Sequence, residues 1–227
     1  DQPIERELIS SALPEVTIPE FPKDVFSLQD WFINDVVYRH FPRVRMTAED
    51  KEKTQQYNRN AQRVNVSRTM NRDSFLEGLN MVIEIHENDA NTIQRLAQLT
   101  TKTNQFNVRK QPYTVSEIGK FMETDSIDVY AASYSDKFGH EGIIGAAIVD
   151  TRDTDAKLMS FLLSCRVLGR GVEYTFLSWL LDCIKPNTSV LTVDYQPTKK
   201  NRMVNSYLDS CGLQNTHDTI YSGNIRD

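Results

Sequence analysis

Cysteine is scarce in this 227-residue chain, which has only Cys165, Cys183 and Cys211. The number is odd and no pair has metal-ligand spacing. That excludes a disulfide framework and predicts reduced thiols in a cytoplasmic protein. The four histidines, His40, His86, His140 and His217, are scattered, so no metal site is expected from them. Long apolar runs are missing too; none nears the roughly 20 residues of a membrane span. Positive charge is in deficit, with 26 Lys and Arg against 31 Asp and Glu and a net charge of −5. A general nucleic-acid binder would carry a basic footprint, so that class is set aside. No internal repeat or low-complexity tract occurs, which removes solenoids. The opening Asp-Gln-Pro-Ile-Glu-Arg-Glu has no signal-peptide pattern, and a start at a charged Asp without Met predicts an excised fragment.

What is present points first to Ser164-Cys165-Arg166-Val167-Leu168-Gly169-Arg170-Gly171-Val172. The apolar run Leu158 to Leu163 leads into it, and the amphipathic run Val172 to Ile184 leaves it. Arg166-x-x-Gly169-x-Gly171 is therefore predicted where a strand turns into a helix. Glycines there let a backbone approach a ligand and leave the first helical N–H groups pointing outward. With the positive end of the helix dipole, those groups suit a phosphate or pyrophosphate. Taken alone, the motif is either such a cradle or a bare tight turn.

The rest of the chain reads in three stretches. Residues 1–45 give a short helix from Pro3 to Leu13, a strand from Pro14 to Pro19, and a helix capped by Ser27 running to about Phe41. Residues 46–79 read as a polar helical linker, with cap signals at Thr47 and Asp73; Arg59, Arg63, Arg68 and Arg72 read there as charges on a solvated helix. From about residue 80 the pattern is regular. A strand over 81–86 precedes a helix capped by Asn88, and 100–112 is a polar loop. Thr114 and Glu117 form a capping box for Val115 to Met122. Strands follow at 127–134, 143–149 and 156–165, then a helix to Ile184, a strand at 189–195, a helix at 199–210 with Thr198 as N-cap, and a final extended piece at 213–221. Hairpins combined with one βαβ crossover make an α+β fold with a mixed sheet flanked by helices.

This order, with Arg166-x-x-Gly169-x-Gly171 after the fourth strand, resembles the GCN5-related N-acetyltransferase fold over about residues 80–222. A second segment, Asn201-x-x-Val204-x-x-Tyr207-Leu208-x-x-x-Gly212-Leu213, resembles that superfamily's last motif, Asn-x-x-Ala-x-x-aromatic-Tyr-x-x-x-Gly-Phe. The chain is also similar to the C-terminal region of FkbH-like proteins, in which a haloacid-dehalogenase-type domain precedes an acyltransferase-like one. The matching segments are Gln98 to Asn107, Ser164 to Glu173, Tyr195 to Asn201 and the opening Asp1 to Glu7. The resemblance implies that 1–45 is the α/β tail end of the phosphatase-like domain, 46–79 a helical linker and 80–227 the acyltransferase-like domain.

It further implies a ligand and a chemistry. The ligand is coenzyme A, or the phosphopantetheine arm of an acyl-carrier protein. Its phosphates would rest on Arg166, Val167, Leu168, Gly169, Arg170, Gly171 and Val172, with Asn201 nearby, and its thioester would lie in the gap where the central strands splay. Lys102, Asn104, Gln105, Asn107 and Lys200 would meet the substrate. Acyl or glyceryl transfer from a thioester is the implied activity; a non-catalytic carrier-binding module serving an upstream phosphatase-like domain is the alternative. No nucleic acid or membrane partner is implied.

Two departures matter. The phosphatase chemistry needs an Asp-x-Asp motif, and Asp1 alone is left as a magnesium ligand. One carboxylate cannot both hold the ion and supply a nucleophile, so magnesium belongs to the missing domain. Leu208 stands where acetyltransferases often carry the Tyr that protonates the leaving thiolate. Cys165 and Tyr207 are then weak catalytic candidates, since each reads first as a core residue. Glu141 and Asp150 are candidate general bases.

Overall fold

Side chains along the longest strands are apolar in both directions, so the sheet must be covered on both faces. A computed structural model shows how, describing residues 3–40, 48–152, 155–184, 186, 188–217 and 219–224. The chain divides into two compact units, Asp1–Tyr57 and Asn58–Asp227.

The first unit is helical. It holds α1 (Pro3–Ala12), then a run made of a 3₁₀ turn (Val25–Ser27), α2 (Leu28–Trp31), a π-helical stretch (Phe32–Val37) and α3 (Tyr38–His40), and the start of α4 (Ala48–Ser67). Residues 14–19 do not form the expected strand. No described segment pairs with them, and a lone strand leaves its backbone groups unbonded. Asp24, not Ser27, caps the helical run: its carboxylate accepts from the Phe26 N–H at 3.0 Å.

The second unit begins inside α4, at Asn58, and contains the sheet. After α5 (Arg72–Glu77) come β1 (Val82–Glu87), α6 (Ile93–Lys102), β2 (Phe106–Asn107), α7 (Val115–Met122), β3 (Ile127–Asp136), β4 (Gly139–Asp150), β5 (Asp155–Leu163), α8 (Val172–Ile184), β6 (Val190–Asp194), α9 (Arg202–Ser210), β7 (Gln214–His217) and β8 (Ile220–Asn224). The sheet order is β1-β3-β4-β5-β6-β8-β7, with β2 also on β5. Among the described residues, only β5 and β6 pair in parallel, joined by α8. This is the mixed α+β arrangement the pattern predicted.

Alternation of side chains makes the two cores. Val129 and Ala131 face one way with Leu96, Leu99 and Ile118 of α6 and α7. Tyr130 and Ala132 face the other with Phe176, Leu180, Val204 and Leu208 of α8 and α9.

The Thr114–Glu117 capping box forms as expected, with both reciprocal bonds present. Other caps move by one or two residues. Asn71 rather than Asp73 caps α5, accepting from Ser74 N–H at 2.9 Å. Asp89 rather than Asn88 caps the turn before α6, while Asn88 extends the sheet by accepting from Val129 N–H at 2.9 Å. Asn201 rather than Thr198 precedes α9. Thr47 lies outside the described residues. The polar loop 100–112 contains β2, which went unseen because two residues show no periodicity.

Phe161 is fully buried and lies against the rings of Phe106, Phe176 and Tyr207 at 5.3 to 6.2 Å. Phe161→Ala is expected to lower unfolding free energy by about 3–5 kcal/mol. Denaturant titration followed by circular dichroism checks this.

Candidate functional site

The site is built at the carboxyl ends of β5 and β6, where parallel strands part. Their pairing runs from Asp155↔Val190 to Leu158↔Val193 and then stops. Beyond it, α8 follows β5 through the turn Ser164 to Gly171. Gly169 and Gly171 adopt φ of 76° and 83°, a conformation favouring glycine, and a Cβ at either would meet open space. Among the described residues, no hydrogen bond of good geometry occupies the N–H groups of Gly169, Arg170, Gly171 and Val172. They lead into the thirteen-residue α8 at its positive end.

The side chains of the same turn point elsewhere. Val167 and Val172 are buried in the core and Leu168 packs against it, so only their backbone could meet a ligand. Val167 N–H already donates to Ser164 O at 3.2 Å. The two arginines reach a buried ion cluster. Arg166 lies 3.6 Å from Glu141 Oε2 and bonds Ser164 Oγ through Nε. Arg170 donates to Tyr134 Oη at 3.3 Å and lies 3.9 Å from Asp136.

At the centre of the cluster sits Arg63 of α4, 3% exposed. Its Nε and Nη2 form a bidentate pair with Asp136 at 2.7 and 2.8 Å, and its Nη1 meets Glu141 at 2.8 Å. Arg59, one turn earlier, reaches Glu141 at 3.3 Å and the His140 carbonyl at 3.0 Å. Burial by itself would raise the Asp136 pKa. The Arg63 bonds, the Phe138 N–H and the Tyr134 hydroxyl outweigh it and hold the carboxyl below its ordinary value. Burial likewise works against charge on Arg63, and its two carboxylate partners more than offset that.

This corrects two expectations. Arg63 is not on a solvated face, because Asp136 lies 73 positions away in sequence and supplies the matching charge only in the fold. Glu141 is not a free general base, because three guanidiniums surround it. Asp150, the other candidate base, stands at the far end of β4, about 30 Å along the strand from Glu141. Its pair with Arg152, then the Arg152 N–H bond, lower its pKa against the effect of burial.

The gap between β5 and β6, expected to receive a thioester, is filled by the chain itself. β2 pairs with β5 through Phe106↔Leu163 and Asn107↔Leu162. Val108 then bridges the parting strands: its N–H donates to Phe161 O at 3.0 Å and its carbonyl accepts from Gln196 N–H at 2.8 Å. Phe106, Asn107 and Val108 are each at most 1% exposed. Asn201, itself 1% exposed, staples them in place. Its amide donates to Asn107 O and Gln196 O, both at 2.9 Å, and its Oδ1 accepts from Thr198 N–H at 2.6 Å and Thr198 Oγ1 at 2.9 Å. Asn107 Nδ2 donates to Thr103 O and its Oδ1 accepts from Arg109 N–H. Asn201 and Asn107 are thus corrected from ligand contacts to internal staples; each is 1% exposed and its side-chain amide is bonded within the fold. Lys102, Asn104, Gln105 and Lys200 are exposed around the staple. Lys110, which sequence reasoning missed, bonds the carbonyls of Thr101 and Thr103; burial and then Lys200 nearby lower its pKa.

Of the catalytic candidates, Cys165 is exposed beside Arg166. Tyr207 is buried, donates to Glu173 O at 2.8 Å, and is pushed far up by burial and then by Cys211. With its proton already committed in the core, it is no general acid for the turn. Leu208 is 1% exposed. Asp1 lies outside the described residues. Among the described residues, no cluster of His, Cys, Asp or Glu could hold a metal, and no helix is long and apolar enough to cross a membrane.

Two tests follow. Asn201→Ala is expected to cost about 1–3 kcal/mol. It should also speed amide exchange at Val108 and Gln196 selectively; unchanged exchange there would remove its stapling role. For Asp136, a lowered folded pKa stabilises the fold above the ordinary value and is lost as pH falls through the lower one. The stability gap between wild type and Asp136→Asn should stay constant from pH 7 to about pH 5 and close below 3.8. Unfolding titrations across that range measure it.

No protein-family model matches the chain, and no curated protein matches it. Solved structures do. A domain from Methanocaldococcus jannaschii is 14% identical, with a TM-score of 0.52, over 64% of this chain and 99% of its own. The protein smu.2055 from Streptococcus mutans is 13% identical, with a TM-score of 0.52, over 63% and 99%. The PaiA N-acetyltransferase from Thermoplasma acidophilum, solved in complex with coenzyme A, is 13% identical, with a TM-score of 0.50, over 63% and 99%.

Proposed function

The second unit has the GCN5-related N-acetyltransferase fold, and from that premise we propose that it is a binding module for the phosphate end of a pantetheine-bearing ligand. That ligand is coenzyme A, or the arm of an acyl-carrier protein, with its phosphate on the N–H groups of Gly169 to Val172. The module does not thread the arm through the sheet. One observation carries this reading: Val108 bonds both parting strands, so the gap is closed, while the turn beside it stays open. An arm entering the gap would have to break the β2–β5 pairs and the Asn201 staple. Leu208 at the usual Tyr position agrees with a role in holding rather than transferring.

A second reading, acyl or glyceryl transfer by this unit, is favoured by the exposed thiol of Cys165 at the turn. Attack of its sulfur on a bound thioester would release the ligand's thiol, which takes the cysteine proton. We further propose, on the sequence resemblance alone, that the chain is part of an FkbH-like protein divided at 1–45, 46–79 and 80–227. An encoded Asp-x-Asp motif upstream of Asp1 would support that parentage.

Calorimetry separates the main readings. Coenzyme A is expected to bind and pantetheine, which lacks phosphate, is not. Gly171→Glu, which puts a side chain and a negative charge at φ 83°, is expected to abolish binding. Equal binding of pantetheine and coenzyme A would overturn the closed-gap reading. Acylated Cys165 seen by mass spectrometry with acetyl-CoA, followed by turnover, would establish the transferase reading instead.

A further inference from the structure

Carboxylates are missing from two stretches of the second unit. No Asp or Glu occurs between Asp89 and Glu117, nor between Asp194 and Asp209. Together these stretches hold seven of the 26 Lys and Arg residues, which leaves 19 cations against all 31 carboxylates in the rest of the chain. The fold lays the two stretches side by side. Gln196 N–H donates to Val108 O at 2.8 Å, and the Asn201 amide donates to Asn107 O at 2.9 Å. Of the seven cations, Arg95 stands apart near the start of α6, bonded to Ile143 O, and Arg109 is paired with Asp194. Among the described residues, no carboxylate pairs with the other five, Lys102, Lys110, Lys199, Lys200 and Arg202. Lys110 and Lys200 come from different stretches, yet the charge of Lys200 is felt at Lys110, where it adds to burial in lowering the pKa.

Folding accounts for only part of this placement. Lys110 bonds the carbonyls of Thr101 and Thr103 at the end of α6, where a cation is favourable. Lys199, Lys200 and Arg202 stand instead at the start of α9, the positive end of its dipole, where cations are unfavourable. All three are exposed, as is Lys102. The surface they border is closed: Phe106, Val108 and Asn201 beneath it are at most 1% exposed. A small anion would find no enclosed pocket there. In the same two stretches Phe106, Tyr195 and Tyr207 are buried and Tyr113 packs on Phe121, so no ring is presented for a nucleic-acid base to stack on. A long polyanion would also run onto the negatively charged remainder of the molecule.

We propose that the closed surface bordered by Lys102, Lys110, Lys199, Lys200 and Arg202 is a docking face for a short acidic segment of a partner protein. Charge complementarity selects that occupant. A positive island on a negative molecule repels an acidic partner everywhere else and steers it to one place. The face being flat, the lysine stems can follow the carboxylates of a segment laid across it. No residue of the glycine turn takes part, so this inference stands apart from the reading of the turn as a phosphate cradle.

The test is fluorescence anisotropy of a labelled oligoglutamate peptide with the full chain, at low salt and with salt added. The peptide is expected to bind and to be released progressively as salt rises. Lys199→Glu with Lys200→Glu is expected to weaken it about tenfold or more. The same variant should keep or raise Tm, because it puts negative charge at the start of α9. Lys120→Glu with Lys157→Glu makes the same change of net charge on other exposed positions and is expected to leave most of the binding in place. Equal loss in the two double variants would reduce the effect to net charge and overturn the proposal. A fall in Tm for Lys199→Glu with Lys200→Glu would assign those lysines to folding and overturn it as well. So would absence of peptide binding at low salt, or an oligothymidylate of equal charge that binds as tightly as the peptide. Citrate that displaces the peptide at equal charge concentration would mark a small-anion site instead.

Discussion

Two parallel strands that part company leave a row of backbone groups in the interior, and every such group needs a partner. In this protein that requirement falls on β5 after Leu158 and β6 after Val193. The answer is a piece of the α6–α7 connection, Phe106 to Val108, laid between them and bonded to both sides. Much else depends on it. Phe106 carries its ring into the aromatic core against Phe161 and Tyr207. Asn201 can be buried because Asn107 and Gln196 offer it carbonyls. The turn into α8 is left as the open part of the site, with no bond of good geometry to the N–H groups of Gly169 to Val172 among the described residues.

The same economy of partners governs the charges. A buried guanidinium is tolerable only with carboxylates in good geometry. Arg63 has two, brought by the β3–β4 hairpin, and each of those carboxylates is shared with an arginine of the turn. The cluster thus ties the start of the second unit to the turn that precedes α8. What reads in sequence as three separate polar stretches is, in space, one network with more cations than anions.

Several features were legible without the fold. The strand-turn-helix around Arg166 to Val172, the Thr114–Glu117 box and the βαβ crossover depend on neighbours within a few residues or on periodicity, and they stand where the pattern put them. Local cap chemistry was legible only to within a residue or two. Asp, Asn and Ser all accept from a free helical N–H, so Asp73 and Asn71, or Asn88 and Asp89, look alike until the backbone is placed. A strand at 14–19 looked plausible because prolines and β-branched residues describe a conformation and say nothing of a pairing partner.

By itself, then, the sequence determined the α+β order, the two faces of the sheet and the glycine turn, because those follow from side-chain period and from φ preferences that act along the chain. Only the tertiary structure decided that Arg63 is buried, that Glu141 is a counter-ion rather than a base, that Asn201 is a staple, and that the gap beside the turn is closed. Each of these joins residues dozens of positions apart, among them Arg63 and Asp136, 73 apart, and Asn107 and Asn201, 94 apart. Charge and amide groups carry no period that announces such a partner. Their roles are set by which opposite group the packed sheet brings within bonding distance.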